Sequence, residues 1–113
     1  MEGRFIMDFK EYQSYVSEGM SENYTLSSGL LGLIGEAGEL CDVVKKSIIY
    51  TDKRLTEEQF KNKLIDELGD VMWQAFAVAT LIGVPMTHVV EENVAKLNER
   101  HGNKKLDTTG GKR

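Results

Sequence analysis

From Leu26 to Ile48 apolar residues return every three or four positions, as Leu26, Leu30, Leu33, Ala37, Leu40, Val44 and Ile48, with no proline among them. This rhythm predicts one long helix. Ahead of it, Phe9, Tyr12 and Val16 keep the same spacing up to Gly19. Asp8 followed by Glu11 reads as a capping box, so a short first helix precedes a polar loop from Ser21 to Thr25. Thr51 to Leu55 breaks the pattern. Thr56 with Gln59, and Glu57 and Glu58 in the first turn, then announces a third helix running to about Ile82. Gly83 ends that helix and Pro85 opens a fourth, whose stripe is Met86, Val90, Val94 and Leu97 and which stops near Gly102. No segment alternates for long enough to form a strand. The expected fold is all-α, most simply a four-helix bundle.

The third helix is apolar on two sides. Leu64, Leu68, Val71, Ala75 and Ile82 form one stripe, while Trp73, Phe76 and Ala77 lie opposite. Such a helix needs two partners. Either a second copy of the chain meets it, giving a homodimer or homotetramer with this helix near the interface, or the first helix covers the second side within a monomer. Residues 1–102 are long enough for one domain with its own core, and the polar 103–113 segment, with Gly110 and Gly111, is expected to be a flexible tail.

Two pairs of acids stand at i, i+3 on consecutive helices: Glu36 and Glu39 in the second, Glu67 and Asp70 in the third. That spacing sets the members of each pair about 60° apart and one turn along the axis, so each pair shares a face. On the helical wheel they border the apolar arcs, at the rim of the core. If the two helices pack antiparallel through those arcs, four carboxylates converge, and unpaired like charges would repel. A cation resolves this. Oxygen donors without histidine or cysteine select a hard ion, Mg²⁺ first and Mn²⁺ as a substitute. Gly32 and Gly35 share this side of the second helix, and interior glycine costs roughly 1 kcal/mol against alanine. A close approach, by a neighbouring helix or by a ligand phosphate, would explain them.

Charge and cysteine usage narrow the function classes. A net charge of −4 argues against a broad basic face for duplex nucleic acid, although a local cation cluster can still bind phosphate. The most apolar run, Val71 to Val84, falls short of the ~20 residues of a membrane span. The single cysteine, Cys41, points into an apolar arc and can form neither an internal disulfide nor a cysteine metal site, so a cytoplasmic protein is expected. Met1 to Met7 lacks the continuous apolar run of a signal peptide. His88 and His101 do not stand at i+3 from a paired acid and read as ordinary helix residues. Tyr12, Tyr15 and Tyr24 are aromatic enough to line a base pocket, though nothing in their spacing requires it.

Glu36-x-x-Glu39, a gap of 27 residues, and Glu67-x-x-Asp70 within Glu-Leu-Gly-Asp-Val resemble the signature of the MazG-like, all-α nucleoside triphosphate pyrophosphohydrolases. The likeness runs from about Leu30 to Arg100 and includes Asn93-x-x-Lys96-Leu97-x-x-Arg100. It implies that the four acids bind Mg²⁺ and serve catalysis. It also implies that cations of the last helix contact the triphosphate, and that the reaction yields a nucleoside monophosphate and pyrophosphate. Some relatives carry another carboxylate directly after the second Glu; here that position is Leu40, which leaves the general base unassigned.

The residues themselves point the same way, since Val89, Asn93, Lys96 and Arg100 fall within about 60° on the fourth helix. Beside a metal site, such a cation row is what a triphosphate needs. Lys46, two turns after Glu39, is a weaker candidate for the same role. Two rivals remain. A redox di-metal bundle would need Glu-x-x-His pairs, which the chain lacks. A non-catalytic metal- or nucleotide-binding regulatory or oligomerisation module would bind without turnover.

Overall fold

The computed structural model describes residues 7–49 and 54–102; the expected tail at 103–113 and the first part of the break after Ile49 lie outside the described residues. Four α-helices follow one another: α1 (Phe9–Gly19), α2 (Leu26–Val44), α3 (Glu57–Leu81) and α4 (Met86–His101), with no strand among the described residues. The expected caps form. Asp8 accepts from the Glu11 amide at 2.8 Å while Glu11 accepts from the Asp8 amide at 3.0 Å, and Thr56 and Gln59 exchange the same pair of bonds. Each such cap stabilises its helix by about 1 kcal/mol. Gly83, at φ +78°, adopts the left-handed conformation that a side chain resists, and the chain turns by 101° between α3 and α4 there.

The long second helix departs from its expected course near its end. Beyond Val44 the chain widens into a π turn, Lys45–Ile49, rather than continuing as α-helix to Ile48. The widened turn changes which carbonyls find partners along the helix. That of Lys46 accepts instead from the Leu55 amide at 3.2 Å, which ties the end of the helix to the approach to α3. Ile48, counted in the apolar stripe, is 63% exposed.

Helices α2 and α3 form an antiparallel pair. Gly29 lies against Leu81 and Val78, and Gly32 against Gln74, so advance along α2 is retreat along α3. Helix α1 packs across the C-terminal half of α3. There Phe76 takes the rings of Phe9 and Tyr12 edge-on, at 5.4 and 4.8 Å, and it is buried with Val16, Ala77, Ala79 and Met86. Burying a side chain such as Phe76 contributes roughly 1.5–3 kcal/mol. Of the two partners open for the second side of α3, the chain supplies its own: α1 and the start of α4 cover Phe76 and Ala77. Trp73 is likewise packed internally, on Tyr24 and near Gly19.

One side chain fixes α1 to the turn between α3 and α4. Gln13 donates from Nε2 to Thr80 Oγ1 at 3.1 Å and to the Val84 carbonyl at 2.9 Å, and its Oε1 accepts from the Met86 amide at 2.8 Å. The Met86 amide belongs to the first turn of α4, whose N-cap, Pro85, provides no side-chain bond. Gln13 supplies from α1 what the local sequence cannot.

What stays uncovered is the other side of the α2–α3 pair. Leu31 and Ile34 of α2 are each 69% exposed, and Ile65 and Leu68 of α3 are 58% and 55% exposed. Cys41, expected in an apolar arc of the core, is exposed as well, since seven residues after Ile34 it shares the same uncovered side of α2. No single helix among the described residues is long and apolar enough to cross a membrane.

Candidate metal centre

The antiparallel register carries the acids of α2 to those of α3. One ligand oxygen from each of Glu36, Glu67 and Asp70 lies within 4.8 Å of the others. Glu36 and Glu67 are half-buried and Asp70 is exposed. Glu39, on the exposed edge of α2, stands outside that triplet, yet it is close enough to act on Glu67 electrostatically.

Glu67 is the focus. Its Oε2 is shielded from solvent and has no hydrogen-bond partner among the described residues. Burial, followed by the charges of Glu39, Asp70, Glu36 and Asp66, raises its affinity for a proton above that of an ordinary glutamate. A carboxylate with one buried, unpartnered oxygen, grouped with two further carboxylates, fits a bound cation, and oxygen donors alone suit a hard divalent ion. Tyr12 of α1 stands beside the same cluster. Its phenol is raised by burial, then by Tyr15 and by the charge of Asp70, and its ring stacks on Tyr15 at 6.1 Å.

Lys46 pairs with Asp42 at 3.1 Å, one turn earlier on α2. Asn93, Lys96 and Arg100 are exposed on α4, and neither Lys96 nor Arg100 forms an ion pair with any of the four acids. Of the two glycines singled out on α2, Gly32 is crowded: a Cβ there would fall 2.5 Å from Gln74 Oε1. A side chain of the neighbouring helix therefore makes the close approach. Gly35 has open space around it.

The sequence reading passed over Asp42, Gln74 and the position of Tyr12. Asp42 was within reach as an acid four residues before Lys46. Gln74 was within reach too, as the next residue of the Glu67–Asp70 face at i+4. Tyr12 depends on how α1 crosses α3, which no local pattern encodes.

Comparison with known proteins bears on what this arrangement is for. The profile of the MazG nucleotide pyrophosphohydrolase domain matches residues 24–104. The chain belongs to the MazG family. The matched segment contains both acid pairs and the whole of α4. The Gene 37 protein of Mycobacterium phage L5 is 36% identical over 88 residues, covering 78% of this chain and 76% of the phage protein. The crystal structure of iMazG from Vibrio DAT 722 superposes with a TM-score of 0.61 at 24% identity, covering 86% of this chain and all of that one. The MazG fold is therefore shared at low identity.

The raised proton affinity of Glu67 sets a pH dependence. Above the usual glutamate value of 4.5, the unfolded chain releases this proton while the folded chain still holds it, so folding stability falls as pH rises through the window up to the raised value. Glu67→Gln cannot ionise. In thermal melts with chelator between about pH 4 and 8, the variant should gain on the wild type as pH rises, and added Mg²⁺ should restore the wild type alone. Parallel curves for the two proteins would contradict the crowding of these acids.

Proposed function

We propose that this MazG-family chain hydrolyses nucleoside triphosphates, ribo- or deoxyribo-, to the monophosphate and pyrophosphate with Mg²⁺, or Mn²⁺ in its place. The observation that carries the reading is the meeting of Glu36, Glu67 and Asp70, with one oxygen of Glu67 buried and without a partner. Family membership supports the reaction type. Glu36, Glu39, Glu67 and Asp70 would hold the ions. A divalent ion held there would neutralise phosphate charge and make water more acidic.

The chemistry is a substitution at the α-phosphorus. The water oxygen bonds to that atom, the bond to the α–β bridging oxygen breaks, pyrophosphate leaves with the bridge, and one proton is released. The chain's own part is to place the triphosphate and balance its charge. Lys96 and Arg100 are proposed to neutralise non-bridging oxygens, Asn93 to donate from the same face of α4, and Lys46 to assist once it exchanges Asp42 for phosphate. A cytoplasmic setting suits this substrate and the lone thiol, and neither a duplex nucleic acid nor a membrane belongs to the proposal.

A panel of nucleoside triphosphates with Mg²⁺ should yield monophosphate and pyrophosphate, without diphosphate or free phosphate. Glu36→Gln and Asp70→Asn should each lose activity on the order of a hundredfold or more while remaining helical, and Lys96→Ala and Arg100→Ala should each lose on the order of tenfold or more. Diphosphate with orthophosphate would refute the assigned bond cleavage. Tight nucleotide binding without turnover would favour the regulatory module.

The homo-oligomer is part of the same proposal, on a different surface from the one first indicated. Ile34 and Leu68 lie about 160° around their helices from Glu36 and Asp70, so the exposed apolar residues form the back of the acid-bearing pair. A second α2–α3 pair laid on that back would complete a four-helix layer. Light scattering at micromolar concentration should give a dimer or tetramer for the wild type, and smaller species for Leu68→Glu. A monomeric wild type would remove the oligomer from the proposal.

A further inference from the structure

Beyond the acids, along the same face of α3, Gln74 follows Asp70 by four residues, about 6 Å farther along the axis. Its amide lies flat on Gly32, which in turn precedes Glu36 by four residues on α2. The amide thus bridges the two helices one turn from the acids of each. A side chain at position 32 would occupy its place, since a Cβ there would come within 2.5 Å of Oε1 and 3.0 Å of Nε2.

Tyr24 favours one way round for this amide, because a phenol is more acidic than an alcohol and donates more readily than it accepts. Its hydroxyl donates to Gln74 Oε1 at 2.6 Å, a length typical of O–H···O bonds and short for N–H···O. The other end, Nε2, has no hydrogen-bond partner among the described residues. Gln74 therefore leaves its amide donors unused among the described residues, one turn from the acids. Beside it the Tyr24 and Trp73 rings meet edge-to-face at 6.0 Å and form an apolar wall.

A base is separated from its α-phosphate by the sugar, a span comparable to one helical turn. A sugar hydroxyl both donates and accepts, so it is served by either end of an amide. A base edge differs: a keto oxygen accepts only and an exocyclic amine donates, so an amide distinguishes them once its orientation is fixed. We propose that Gln74 is a specificity-determining residue whose Nε2 donates to a keto oxygen of the nucleobase of a triphosphate held at Glu36, Glu67 and Asp70, with Tyr24 as the positioning residue that fixes the amide. This rests on the reading of those acids as the triphosphate site, and it adds the substrate class: bases with a keto group at the edge facing Gln74.

Deoxyuridine and deoxycytidine triphosphates differ on one edge of the base, keto at C4 beside a protonated N3 against amino at C4 beside an unprotonated N3, and provide the probe. With Mg²⁺, the wild type should favour the keto base by about tenfold in both kcat/KM and calorimetric affinity. Gln74→Glu should reverse the preference, Gln74→Met should abolish it without adding charge, and Tyr24→Phe, which frees the amide to turn over, should bring the ratio toward one. The ratio is read within each protein, so a general loss of stability does not imitate the effect. An unchanged ratio across the four proteins would overturn the role of Gln74 while leaving the hydrolytic reading intact. Keto-selective binding without hydrolysis would support the subsite and defeat the reaction, and equal affinity of the wild type for both nucleotides would overturn the subsite.

Discussion

Antiparallel packing of α2 on α3 presses the carboxylates of Glu36, Glu67 and Asp70 together, with one Glu67 oxygen shut off from water and from every hydrogen-bond donor in the described chain. Left alone, this is an unfavourable arrangement: like charges repel and a dehydrated carboxylate resists ionisation, and both raise the proton affinity of Glu67. The register that creates it is fixed by contacts with no electrostatic purpose. Gly29 seats Val78 and Leu81, Gly32 admits Gln74, and the buried face of α3 is held from the far side by α1. A cation turns the conflict into a site.

The rest of the chain can be understood as support for that register. Phe76, at the centre of the core, joins α1 to α3 through two edge-to-face contacts, and Gln13 ties α1 to the start of α4. Both brace the half of α3 that follows the acids. At the other end of α2, the π turn and the Lys46 carbonyl bond to Leu55 set where the chain returns toward α3. The acids stand between these two fixed ends, with Tyr12 of α1, stacked on Tyr15, beside Asp70.

Much of the fold was legible because its signals are local. Asp8 with Glu11 and Thr56 with Gln59 mark two helix starts by bonds made within four residues, and Gly83 ends α3 through its own backbone conformation. The acid pairs could be placed on one face because i, i+3 geometry follows from the helix alone. What escaped the sequence depends on contacts between distant segments. Trp73, Phe76 and Ala77 do show that α3 needs a second partner, but the choice of α1 over another copy rests on how α1 crosses it. Cys41 is exposed because it shares the uncovered side of α2 with Ile34, and Gln74 becomes noticeable only once Tyr24 is seen holding it from 50 residues away.

The most direct measurement is a crystal structure of the protein grown with Mn²⁺, with the ion located by its anomalous scattering. The expected result is manganese bound by carboxylate oxygens of Glu36, Glu67 and Asp70 at coordination distances near the ~2.1 Å of Mg²⁺ sites, with the buried Glu67 oxygen among the ligands. Manganese found only elsewhere on the surface, with these three side chains left without an ion at saturating concentration, would contradict it.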